Sequence, residues 1–115
     1  MDSLQSADEC LKTLEELQRE HILVVRTMLG ISEHLPKLKQ IVKGYVRANY
    51  KQAFDETKKN AGQETLEQWA GSKIGKDYDD YVYYDERFEE LRKISDAYLG
   101  NISSVQSRLS FFRNL

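Results

Sequence analysis

Apolar side chains recur along this chain in two long runs, at spacings that alternate between four and three residues. The first run is Cys10, Leu14, Leu17, His21, Val24, Met28, Ile31, Leu35, Leu38, Val42 and Tyr45. The second is Tyr84, Phe88, Leu91, Ser95, Tyr98, Ile102, Val105, Leu109 and Phe112. A repeat of about 3.5 residues keeps one stripe of an α-helix turned towards a neighbouring helix. Leu11, Ile22, Val25, Leu29, Ile41 and Val46 flank the first seam and widen it, as in a bundle helix that touches more than one neighbour. His21 and Ser95 interrupt the seams. A polar residue at a seam position commonly fixes register at some cost in stability, and that is the role expected of His21.

Pro36 falls inside the first run. Its ring removes a helical hydrogen bond, and it disfavours helical dihedrals at Leu35. The favoured expectation is two helices, about 6–33 and 36–59, with Pro36 in the first turn of the second. A single kinked helix is the alternative, because the seam register passes through Pro36 unbroken. Asn60-Ala61-Gly62 reads as a helix stop. A short helix over about 63–72 follows, with Leu66, Trp69 and Ala70 on one side, and Gly71 and Gly75 end it. Lys76-Asp77-Tyr78-Asp79-Asp80-Tyr81 reads as part of an acidic, tyrosine-rich loop over 76–82. The last helix is expected over 83–114, with Gly100 its weak point at roughly 1 kcal/mol relative to alanine. The pattern predicts an all-α protein: a single domain over 1–115, built as an elongated helical hairpin or a three-to-four-helix bundle with heptad, coiled-coil-like packing. The last helix is expected to run antiparallel along the first seam.

Charge changes this picture locally. The chain of 115 residues has a net charge of −2, too balanced for a dedicated polyanion binder taken as a whole. Yet residues 36–59 hold seven bases and two acids, whereas residues 1–35 hold seven acids and three bases. Lys39, Lys43, Arg47 and Lys51 repeat every four residues and line one helix face. Such a stripe suits phosphates on a nucleic acid or an anionic lipid surface, with Tyr50 near enough to stack. The plainer reading is a solvated face, or pairing with Asp77, Asp79 and Asp80. The acidic run also carries Tyr78, Tyr81 and Tyr83, which suit a docking strip; at helical spacing, some of its rings equally suit a buried first turn. Phe111, Phe112 and Leu115 put more apolar surface at the end of the last helix than a frayed terminus needs.

Catalytic and metal chemistry finds little support. The single thiol, Cys10, cannot form an internal disulfide framework, and Asp8 and Glu9 beside it disfavour a thiolate. No Walker loop or dinucleotide fingerprint is present. Glu20-His21-Ile22-Leu23 resembles the opening of hemerythrin-like domains, which are four-helix bundles holding two irons. Only His21 and His34 are available here, however, and the later histidine pairs of that family are missing. Trp69-Ala70-Gly71 resembles the Trp-x-Gly turn of the WXG-type helical hairpins, and Tyr81 and Asp85 supply a Tyr-x-x-x-Asp spacing. The order of elements departs from that family, because two expected helices precede the tryptophan and the tyrosine motif precedes the last helix. A core tryptophan is the expectation. A calcium loop counted from Asp77 would need glycine and glutamate where Val82 and Phe88 stand.

No apolar run approaches the ~18–20 residues of a membrane span, and the first residues lack the pattern of a signal peptide. A cytoplasmic or nuclear protein is expected. The functional expectation is a non-catalytic helical protein–protein interaction module, without cofactor or metal: a homodimer or a small subunit of a larger complex. The alternative is a helical protein that binds nucleic acid or an anionic membrane through the basic stripe.

Overall fold

The computed structural model describes residues 6–57 and 62–114. Among the described residues, four helices make up the regular structure: α1 (Ala7–Ala48), α2 (Tyr50–Glu56), α3 (Gln63–Ile74) and α4 (Lys76–Arg113). No strand occurs among the described residues. The chain divides into two compact units, Met1–Leu29 with Glu89–Leu115, and Gly30–Phe88.

The first unit is a helix pair. Ser6 opens α1: its Oγ accepts the backbone N–H of Glu9 at 3.1 Å, satisfying one of the amides that a helix start leaves open. Cys10, Val105 and Leu109 form a buried cluster, with Ala7, Leu14, Leu17 and Phe112 packed against it. Further along, His21 meets Ser95. Positions rise along α1 as their partners fall along α4, so the two helices run antiparallel within this unit.

The second unit is more irregular. Val42, Val46 and Ala70 are buried together, with Tyr45, Leu66, Trp69, Ile74, Tyr78 and Tyr81 around them. Glu56 ties α2 to α3: its carboxylate accepts from Trp69 Nε1 at 3.2 Å and lies 3.6 Å from Lys73 Nζ. Lys73 Nζ also sits 5.9 Å from the centre of the Trp69 ring, and the Tyr45 ring lies against the Trp69 ring with centroids 5.8 Å apart. The tryptophan is thus half-buried, held from three directions.

Three boundaries differ from the sequence expectation. Pro36 lies inside α1 and starts no new helix, so the expected elements 6–33 and 36–59 are replaced by one helix to Ala48. A proline in a helix interior costs about 3 kcal/mol. Ile31 and Val42 are buried on either side of it, and burying one such side chain gives back about 1.5–3 kcal/mol. Pro36 itself is exposed, so the missing hydrogen bond falls where water can substitute. Secondly, the helix bends at Asn49, one residue with φ −119° and ψ 30°. Its Nδ2 donates to the Tyr45 carbonyl at 3.0 Å, and α2 follows at once. Thr57, extended at φ −109° and ψ 177°, ends α2. The stop expected at Asn60-Ala61 lies outside the described residues.

Thirdly, residues 76–82 are not a loop but the first two turns of α4. Gly75 alone makes the connection, at φ 75°, a conformation that favours glycine. Its N–H bonds to the Gly71 carbonyl, and its own carbonyl accepts the amides of Tyr78 and Asp79, each at 3.1 Å. Asp77 and Asp79 then stand in the first turn, where carboxylates favour the positive end of the helix dipole. Aspartates that read as turn formers therefore serve as helix starters.

Gly71 matters for a different reason. The Tyr78 ring lies where a side chain at residue 71 would be. Gly71→Ala is expected to destabilise by about 1–3 kcal/mol, the usual range for overpacking. Gly100 is exposed with open space around its Cα, so Gly100→Ala is expected to stabilise by up to about 1 kcal/mol. Urea unfolding midpoints of the two variants should move in opposite directions; a shift of the same sign in both contradicts this packing.

Candidate interaction surfaces

Every residue of both sequence seams is buried or half-buried. The flanks behave differently. Leu11, Ile22, Leu29 and Ile41 are exposed, Val25 is half-buried, and Val46 alone of this set is buried. The stripe that covers the cores is therefore narrow, and much of the apolar widening faces outward.

The two polar interruptions meet each other. His21 Nε2 and Ser95 Oγ share a hydrogen bond at 2.8 Å, with Ser95 buried and His21 half-buried. A hydroxyl both donates and accepts, so the pair stays bonded whichever ring nitrogen carries the proton. One turn along α4, the Tyr98 ring lies 6.1 Å from that of His21. Tyr98 Oη donates to Glu20 Oε2 at 3.0 Å. That bond, chiefly, raises the Tyr98 pKa above its ordinary value, with desolvation and the Glu20 charge adding to it.

The basic stripe spans α1 and the start of α2. Lys39, Arg47 and Lys51 are exposed and Lys43 is half-buried. No ion pair among the described residues engages any of the four, so pairing with Asp77, Asp79 and Asp80 does not occur. A cleft of about 300 Å³ nearby is lined by His34, Lys37, Leu38, Asp80 and Tyr84. A second, of about 380 Å³, lies at the Asn49 bend between Ala48, Asn49, Lys51, Gln52 and Asp55. Tyr50 is exposed beside the stripe, with its ring 6.4 Å from that of Phe54.

The tyrosine-rich run splits by helical phase. Tyr78 and Tyr81, expected as docking residues of a loop, pack against the buried Val42, Val46 and Ala70. They fall one turn apart on the inner face of α4. Burial raises the Tyr81 pKa, and the charges of Glu67 and Asp85 push it the same way. Tyr83 is 62% exposed and points away from this core. At the other end of α4, Phe112 packs on the first core while Phe111 is exposed, edge-on to it at 5.7 Å. Leu115 lies outside the described residues. Cys10 is fully buried.

Sequence reasoning missed two contacts. The Glu56–Trp69–Lys73 set has no local signature, because thirteen residues and a change of helix separate its parts. The His21–Ser95 pair did have one: with the two seams laid antiparallel and Cys10 set against Val105 and Leu109, His21 falls opposite Ser95. No group of three or more His, Cys, Asp or Glu among the described residues could hold a metal ion. No helix among them is long and apolar enough to cross a membrane.

Either single variant, Ser95→Ala or His21→Leu, should cost about 1–2 kcal/mol by leaving the other group short of a partner. The double variant should cost less than their sum, by a coupling of about 0.5–1.5 kcal/mol. Urea unfolding of the four proteins tests this, and strict additivity would mean that the contact contributes nothing. Comparison of the chain with protein-family models, with curated proteins and with solved structures finds no match.

Proposed function

We propose that this chain is a non-catalytic helical interaction module, assembling with a protein partner or with itself through coiled-coil-like packing of its helices. The observation that carries the proposal is the apolar surface of the first unit. Ile22, Leu23, Leu29, Leu99 and Phe111 are between 49% and 62% exposed. Two helices have one contact face each and bury only the stripe of side chains between them. Side chains on their outer faces are covered only when further helices arrive, and apolar surface of this kind marks interaction sites.

The test is the native mass of the purified protein and of what co-purifies with it from its own cells. A mass above that of one chain, or a stoichiometric partner, is expected, and Leu23→Lys with Leu99→Lys should lower it. A compact monomer that captures nothing, and that the two lysines leave unchanged, would remove this reading.

A second reading is supported by the stripe: Lys39, Lys43, Arg47 and Lys51 neutralise no carboxylate among the described residues and so remain available to phosphates. Binding to a nucleic acid or to anionic vesicles should then weaken steeply with salt. Reversing Lys39 and Arg47 to glutamate should abolish it; binding that survives the reversal rules the stripe out.

A further inference from the structure

The second unit carries two charged segments of opposite sign. Residues 36–52 hold five bases and no acid, and residues 76–88, where the unit ends, hold five acids and two bases. Their net charges are therefore +5 and −3. Opposed segments in one unit ordinarily neutralise each other through ion pairs. Here neither Lys39, Lys43, Arg47 and Lys51 nor Asp79, Asp85 and Glu86 take part in one among the described residues.

Helical phase explains why. Tyr78 and Tyr81 turn inward on α4, so Asp79, Tyr83 and Glu86, which share a face at spacings of four and three, turn outward, and all three are exposed. On α1 the buried Val42 and Val46 take the inner face, and Lys39 and Arg47 are exposed. Each strip is directed away from the core that the two helices share. At 1.5 Å per residue the part of the basic strip on α1 extends about 12 Å from Lys39 to Arg47, and the acidic strip about 10 Å from Asp79 to Glu86. Both lengths are those of a few helical turns, and each strip can lie along the other.

We propose that the occupant of the basic stripe is a second copy of this chain, which seats the Asp79–Tyr83–Glu86 face of its α4 against Lys39, Lys43, Arg47 and Lys51. This inference rests on the interaction-module reading and names the partner and the surface. The second copy is the fitting anion because its strip is opposite to the stripe in charge and, like the stripe, is presented along one helix face. Tyr83 adds an exposed ring between the carboxylates, a residue type that carries interface energy. A polyanion is less well served, since the acidic segment of the same unit adds no attraction for it. The two strips differ, so each contact pairs unlike surfaces, and it can close reciprocally as a two-fold dimer, close as a ring or continue as an array. Complementary charge of this kind sets specificity and association rate more than raw affinity.

A charge-swap experiment on the full chain tests the proposal. Sedimentation equilibrium of the wild type should show self-association at about 50 mM salt that fades by about 500 mM, as screening shortens the reach of the charges. Lys39→Glu with Arg47→Glu should give a monomer under the same conditions, as should Asp79→Lys with Glu86→Lys. Mixing the two reversed proteins should restore association, because one keeps an intact acidic strip and the other an intact basic one. Restoration cannot come from chains that have lost their fold. A wild type that stays monomeric at low salt overturns the proposal, and so does a mixture that fails to associate. A stripe on a monomeric wild type that instead captures heparin or RNA assigns it to a polyanion, and overturns the proposal too. If Leu23→Lys and Leu99→Lys abolish assembly while the charge reversals do not, this inference falls and the module reading stands.

Discussion

One hydrogen bond inside an apolar seam sets the alignment on which the first unit depends. A helix pair joined only by aliphatic side chains can slide by a heptad and keep most of its burial, because one seam residue resembles the next. His21 and Ser95 remove that freedom. Displacing either helix by seven residues would put the imidazole against Phe88 or Ile102 and leave the buried hydroxyl without a partner, at the cost of an unmade buried hydrogen bond. Cys10 then falls against Val105 and Leu109, and Glu20 meets Tyr98. A small cysteine is fully buried at a seam position because the register brings it to a close approach.

The second unit uses a different device. Instead of a long seam it has a one-residue connection, Gly75, and a side-chain-free position, Gly71, which the Tyr78 ring occupies. The two glycines act together. The positive φ of Gly75 turns the chain within a single residue, and the missing side chain at Gly71 lets the first turn of α4 lie against α3. Once that turn is in place, Tyr78 and Tyr81 close the core around Val42, Val46 and Ala70. The outward phase of Asp79, Tyr83 and Glu86 follows from that inward phase, so the packing of a tyrosine decides which charges reach the surface.

Periodicity made the all-helical class and the buried stripe legible, because a seam of four-three spacing is a local and redundant signal. Each of its positions in both runs is buried or half-buried, Pro36 included in its span. The helix boundaries were harder to read, for reasons that differ by site. At Pro36 a local penalty of about 3 kcal/mol was outweighed by burial at Ile31 and Val42, which no local rule weighs. At residues 76–82 the same aspartates serve as turn formers and as helix starters, and only the conformation of Gly75 separates the two. The stripe of Lys39, Lys43, Arg47 and Lys51 was readable from its spacing. What it does not pair with required the structure, since pairing depends on where α4 turns its acids.

That last point changes the weight of net charge. A total of −2 argues against a polyanion binder only if the charges are mixed over distances shorter than the screening length, about 8–10 Å in physiological salt. Here they are sorted. Five bases without an acid lie along residues 36–52, and seven acids with two bases lie along residues 76–90. A partner approaching either helix face meets the local field of that segment, and the near-zero sum over the chain is felt only from farther away, where salt has already screened it. Near-neutral composition and two strong opposite surfaces are therefore compatible. Their combination favours a partner that carries the same sorting in reverse, and another copy of the chain meets that condition without any further sequence having to match it.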